Sequence, residues 1–289
     1  MKQIVNRKPK FYFFSILSMI VQSCTTTNKY LVFASDNNGQ KMYNVPYGLG
    51  KRQKMDVFLP ANSNQYPLVL LIHGGAWQYG DKSHMRQLQQ LLYKHNISSA
   101  AINYRLVSKE ITYRQQLDDI AMAIDKLDFE ADNWGIIPQH FILLGESAGG
   151  HLALLYGYSH PEQIVKLISL SAPTDFFSEQ FMKSTYSKYT LPMIEKMVGV
   201  KMDRKNPSPE FQKASPIAMV SNVPTLIFQG GKDFLVAKHQ GFALDSVLSA
   251  QHIQHQFVFM KNAGHVPRLT NIELRDSIIN PNILNWIIH

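Results

Sequence analysis

Residues 141–155 read FILLGESAGGHLALL, an apolar run that breaks at Gly145-Glu146-Ser147-Ala148-Gly149 and resumes as an apolar, helix-forming stretch. The first part has the length and side chains of a buried strand, and the last part suits a helix. The chain must therefore turn sharply at Ser147. G-x-S-x-G at a strand-to-helix turn exposes a serine hydroxyl on strained backbone, and the flanking glycines are needed where side chains would collide with the neighbouring strand and helix.

Outward from this turn, short apolar runs alternate with helical patterns. LVLLIH (68–73), SSAAINY (98–104), FILLG (141–145), VKLISLSA (165–172), TLIFQG (225–230) and QFVFMK (256–261) read as buried strands, preceded by leading strands at 41–47 and 52–59. Helices are predicted at 82–95, 114–130, 148–159, 236–251 and 275–288. The alternation predicts an α/β fold, a mostly parallel central sheet flanked by helices. Residues 174–222 separate a strand from the next by far more than a usual connection and read as a cap insertion. Asp118 and Asp119 are expected near the start of a helix, stabilising its exposed N–H groups.

A serine hydroxyl needs a base within hydrogen-bonding distance and a third group to hold that base in the right tautomer. Asp233 follows TLIFQG and His265 follows QFVFMK, so both lie in loops at the carboxyl ends of strands, on the sheet edge that also carries Ser147. These three are the candidate catalytic residues. His73-Gly74-Gly75-Ala76-Trp77 follows strand LVLLI, where backbone amides could receive a developing oxyanion. Gly74, Gly75 and Ala148 are the expected donors, with Ala76 as a substitute. His73 is expected to brace this loop, and Trp77 either lines an acyl pocket or packs beneath it. No H-E-x-x-H, Cys cluster, P-loop or G-x-G-x-x-G appears, so neither a metal nor a cofactor is expected.

The chain has 289 residues with 29 Lys+Arg against 21 Asp+Glu and a formal charge of +8. Lys2, Arg7, Lys8 and Lys10 account for half of that excess. No Arg-rich or aromatic-interleaved basic run turns the remainder into a nucleic-acid site. Residues 1–10 are basic, 11–21 (FYFFSILSMIV) apolar, and small or polar residues lead to Cys24, the three-part layout of a secretory signal. The apolar run falls short of the roughly 20 residues of a spanning helix. Val21-Gln22-Ser23-Cys24 resembles the lipobox of bacterial lipoproteins. It implies a signal peptide over 1–23, a lipid on Cys24, a tether over 24–40 and an exported, membrane-anchored domain over 41–289.

HGGAW (73–77), GESAGG (145–150), Asp233 and NAGH (262–265) together resemble the α/β-hydrolase superfamily, in its carboxylesterase and hormone-sensitive-lipase-like branches. HGGAW followed by Gly80-Asp81-Lys82 is similar to bacterial acetyl-xylan and feruloyl esterase-like hydrolases, and the HGGxW loop also occurs in kynurenine formamidases. The sequence departs from the pattern at Ala76, where the third glycine of HGGG would stand, and at Glu146, where Asp is usual. The resemblance implies a cofactor-free serine esterase acting on a small-molecule or glycan ester. An amidase, peptidase or formamidase on the same machinery, and an inactive hydrolase fold used for binding, are the alternatives.

Overall fold

The computed structural model describes residues 31–34, 39–61 and 65–289. The expected signal peptide 1–23, Cys24 and much of the 24–40 tether lie outside them. Among the described residues nine strands form one sheet: β1 (Leu31–Ala34), β2 (Gln40–Pro46), β3 (Lys54–Leu59), β4 (Leu68–Ile72), β5 (Ser99–Asn103), β6 (Phe141–Glu146), β7 (Ile164–Leu170), β8 (Thr225–Gly230) and β9 (His255–Met260). Their order is β1-β2-β3-β5-β4-β6-β7-β8-β9. The six runs read as buried strands are the parallel strands β5-β4-β6-β7-β8-β9, of which β9, at the sheet edge, is only partly buried with Phe259 exposed, while β1, β2 and β3 pair antiparallel at the other end. The chain passes from β4 outward to β5 and returns on the other side of β4 as β6. That reversal opens a crevice at the carboxyl edge between β4 and β6.

Side chains alternate across the sheet. Leu68, Leu70 and Ile72 of β4 pack with the helices Tyr113–Phe129, Ala148–Ser159 and His239–Ala250, whereas Val69 and Leu71 face Arg86–Lys94 and Asn280–Ile288. The helix Tyr113–Phe129 starts at Thr112, which accepts from the Arg114 N–H while Gln115 accepts from the Thr112 N–H, a capping box. Among the described residues no helix is long and apolar enough to cross a membrane.

Two expectations are corrected. Leu31–Ala34 is a strand paired with β2, although it lies in the stretch read as tether. Asp118 and Asp119 sit in the second turn of their helix instead of at its start. Asp119 is fully buried and accepts from the Arg105 backbone N–H and guanidinium and from Gln53 Nε2, so it ties the strand β5 exit to the helix. Residues 174–222 fold as a helical layer, with Glu179–Lys183, Thr185–Val198 and Pro209–Lys213 followed by a 3-10 turn at Pro216–Ala218. An ion pair between Arg114 and Glu210 and a hydrogen bond from Tyr186 Oη to the Asp233 carbonyl fasten this layer to the body.

Two buried imidazoles brace the crevice. The His73 ring stacks on Tyr104 with centroids 4.4 Å apart, its Nδ1 donates to Gly74 O at 2.7 Å, and Arg52 approaches its Nε2 at 3.4 Å. His151 Nε2 donates to Ala214 O at 2.7 Å and its Nδ1 accepts from Trp77 Nε1 at 3.1 Å. Burial lowers both from 6.5 to about 4, so both rings are neutral at pH 7.

Between about pH 6.5 and 4 the unfolded chain takes up protons that these two rings refuse while folded. The unfolding free energy should therefore fall as pH drops through that window, by about 3 kcal/mol per histidine, and stop responding to them below it. Urea titrations at half-unit pH intervals measure this. In the same assay Asp119→Ala should cost about 1–3 kcal/mol at pH 7, because the Arg105 backbone N–H and the buried Gln53 amide lose their acceptor.

Candidate active site

The turn after β6 places Ser147 at φ 52° and ψ −119°, a conformation that L-residues avoid. Close packing holds it there. A Cβ on Gly145 would lie 2.2 Å from the Gly149 carbonyl oxygen, and one on Gly149 would lie 2.1 Å from the Ile72 carbonyl oxygen. Only glycine lets β6, the following helix and the end of β4 approach so closely. The Ser147 N–H donates to Leu170 O on the neighbouring strand at 2.8 Å, which pins the turn to the sheet.

The structure brings together the three residues singled out in the sequence. His265 Nε2 lies 3.0 Å from Ser147 Oγ, and His265 Nδ1 lies 2.8 Å from Asp233 Oδ2. Asp233 is buried, and its Oδ1 accepts from the N–H groups of Leu235 and Val236 at 2.9 and 2.8 Å. With Oδ1 occupied, Oδ2 is the acceptor facing the imidazole. The ring proton therefore sits on Nδ1, and Nε2 is left to accept from the serine hydroxyl.

The loop after β4 runs against this turn: a Cβ on Gly74 would lie 2.9 Å from the Glu146 carbonyl oxygen and 3.3 Å from Ser147 Cβ. Gly75 (φ 125°), Ala76 (φ 49°) and Trp77 (φ 61°) are all in the left-handed region, and Gly75 O accepts from the N–H groups of Gln78 and Tyr79. This tight turn leaves the N–H groups of Gly75 and Ala76 without an acceptor among the described residues. Ala148, the first residue of its helix, has no intrahelical acceptor for its own N–H. Gly74, Gly75, Ala76 and Ala148 all border the cavity that opens on Ser147.

That cavity has a volume of about 480 Å³ and is walled mainly by apolar side chains, among them Phe176, Phe181, Met193 and Ile194 from the 174–222 layer. Trp77 borders the cavity, and its indole N–H is held by His151 beneath. His73 is confirmed as a brace.

Sequence reasoning missed Arg268. Three residues beyond His265, it is fully buried and pairs with Glu146, the residue before Ser147, while also reaching Gln87 Oε1 and His84 O. The pair ties the histidine loop to the serine turn, and it accounts for the departure from Asp at 146: a longer acid has a cation to meet. The available signal was that a buried carboxylate beside the turn demands a cationic partner. Tyr186 and His239, both bordering the cavity, were also not identified as site residues.

Several known proteins resemble this chain. The chain is 27% identical over 168 residues to a kynurenine formamidase of Salmo salar, covering 55% of this chain and 53% of that protein. It is 24% identical over 251 residues to the isoprenylcysteine alpha-carbonyl methylesterase ICME of Arabidopsis thaliana, covering 81% and 57%. It thus spans little more than half the length of either relative. Among solved structures it superposes on esterase B from Lactobacillus rhamnosis with a TM-score of 0.71 at 20% identity, covering 88% of each chain. On a truncated carbohydrate esterase from gut microbiota the TM-score is 0.72 at 20% identity, covering 86% and 98%. At these identities the superpositions establish the α/β-hydrolase fold. The BD-FAE family model matches residues 55–248, roughly two thirds of the sequence and the stretch that carries both the His73 loop and the Ser147 turn, so the chain belongs to the BD-FAE family.

Proposed function

We propose that this protein is a serine hydrolase that cleaves carboxylic esters through an acyl-enzyme. The observation that carries this reading is the continuous hydrogen-bonded line from Ser147 Oγ through His265 to Asp233 Oδ2, beside backbone amides that have no acceptor among the described residues. In the first half-reaction Ser147 Oγ bonds to the substrate carbonyl carbon as His265 Nε2 takes its proton. Asp233 supports the resulting imidazolium. The N–H groups of Ala148 and of the Gly74–Ala76 turn receive the oxyanion. Loss of one such donor costs about 2.7–4 kcal/mol in the barrier. The alcohol leaves with the proton held by His265, and water, deprotonated by the same nitrogen, then releases the acid and restores Ser147.

The substrate we propose is an acyl ester of a glycan. Its support is the likeness to the carbohydrate esterase and to an acetyl ester-xyloside bifunctional hydrolase of Caldicellulosiruptor lactoaceticus, which aligns at a TM-score of 0.67. The kynurenine formamidase relatives favour a second reading, cleavage of a formylated aryl amine by the same residues. Export and a lipid on Cys24 are part of the proposal, supported by the basic, apolar and lipobox-like segments of residues 1–24. A lipid anchor would hold the domain at a membrane face, where an ester outside the cytoplasm can reach it.

Ser147→Ala should reduce turnover of para-nitrophenyl acetate on the order of a millionfold with the thermal midpoint preserved. Residual turnover within tenfold of the wild type would contradict the assignment of the nucleophile. Acetylated xylan oligomers should be hydrolysed with a higher kcat/KM than formylkynurenine, and the reverse order would favour the amide reading. Cys24→Ala should move the protein from the membrane fraction to the soluble fraction of the expressing bacterium, and unchanged fractionation would refute the anchor.

A further inference from the structure

Almost every polar side chain bordering the cavity is already committed. Tyr186 donates its hydroxyl to Asp233 O, Thr190 donates to Tyr186 O, Glu146 is paired with Arg268, and Ser147 and His265 belong to the hydrogen-bonded line. Tyr79 and His84 are exposed at the rim. His239, the first residue of the helix His239–Ala250, is half-buried and borders the cavity.

Its protonation pattern is dictated by its neighbour. Gln240 Oε1 accepts from the backbone N–H groups of Thr174 and Asp175 at 2.6 and 2.7 Å, and this fixes the orientation of the amide. Gln240 Nε2 donates one hydrogen to Asp175 O at 2.9 Å, and its second points to His239 Nε2 at 3.1 Å. His239 Nε2 is therefore an acceptor, and in the neutral ring Nδ1 carries the hydrogen. Burial lowers the His239 pKa and outweighs Asp175, which acts in the opposite sense, so the neutral form is the relevant one near pH 7. Nδ1–H has no acceptor among the described residues.

We propose that His239 is a specificity-determining residue whose Nδ1–H donates a hydrogen bond to an acceptor oxygen in the non-reacting part of the ester held in this apolar cavity. The inference rests on the proposed ester hydrolysis and adds the chemistry of the occupant: a mainly apolar group interrupted by an ether, carbonyl or hydroxyl oxygen. Where the occupant covers Nδ1–H, a hydrocarbon leaves it without a partner, whereas an oxygen satisfies it.

Two substrate pairs test this, each exchanging one methylene for an ether oxygen. The acyl pair is para-nitrophenyl pentanoate and para-nitrophenyl methoxypropanoate, and the alcohol pair is butyl acetate and methoxyethyl acetate. The quantity read is the ratio of kcat/KM within each pair, in the wild type and in His239→Phe, His239→Leu and His239→Gln. In at least one pair, the preference for the ether member should fall by about fivefold in the Phe and Leu variants, chiefly through KM. His239→Gln, which retains an N–H donor, should recover part of it. Two apolar replacements of different shape guard against one failing to fold. Ratios unchanged by both replacements in both pairs, while all four esters are hydrolysed, would overturn the role of His239 and leave the ester hydrolase standing. Failure of the wild-type protein to hydrolyse any of the four would overturn the proposed function and this inference with it.

Discussion

The structure turns on a single steric constraint: Ser147 must hold a left-handed backbone while β6, the helix behind it and the end of β4 close to within contact of one another. The 2.2 Å and 2.1 Å approaches at Gly145 and Gly149 would be impossible with any other residue, and the hydrogen bond to Leu170 ties the turn to the next strand. Strain of this kind costs on the order of 1–3 kcal/mol and persists only where the surroundings over-determine it. Here they do so through the sheet. In exchange the hydroxyl stands clear of the backbone, at the crevice where the strand order reverses, with the amide of Ala148 beside it.

The remaining parts of the site are held by separate devices that converge on that turn. Arg268 links the histidine loop to Glu146, two backbone amides aim the Asp233 carboxyl, and the neutral ring of His73 closes on the Gly74 carbonyl. His151 holds Trp77 from below. Tyr186 then connects the helical layer over the cavity to the Asp233 loop, so the wall that shapes the substrate space is bonded to the segment that aims the imidazole. The Ala76 departure from a third glycine is accommodated as well, since alanine takes the φ of 49° that the turn imposes.

Much of this was legible in the amino-acid sequence because the relevant signals are local. Parallel strands of such a sheet are short apolar runs, and the six runs lie within two residues of the observed parallel strands, although the edge strand β9 is only partly buried. Ser147, Asp233 and His265 each follow such a run, and parallel strands bring their carboxyl ends to one edge, so their meeting could be anticipated without coordinates. What escaped was long-range. Asp119 looks like a helix-start carboxylate until Arg105 and Gln53 are folded onto it. Arg268 lies 122 positions from Glu146 and reads as an ordinary basic residue. His239 goes unremarked within the predicted helix 236–251, because its place at the cavity depends on how the 174–222 layer and the Asp175 backbone pack around Gln240. The pairing of Leu31–Ala34 with β2 rests on backbone hydrogen bonds, which four apolar residues in a polar stretch do not advertise.

The central claim is that hydroxyl, imidazole, carboxyl and oxyanion-binding amides form one reacting unit. It is tested most directly by a crystal structure of the protein after reaction with an alkyl phosphonate ester. The account predicts phosphorus bonded to Ser147 Oγ, the phosphonyl oxygen within about 3 Å of the Ala148 N–H and of an N–H in the Gly74–Ala76 turn, and the alkyl chain in the apolar cavity. An adduct on another residue, or a phosphonyl oxygen directed away from those amides, would contradict it.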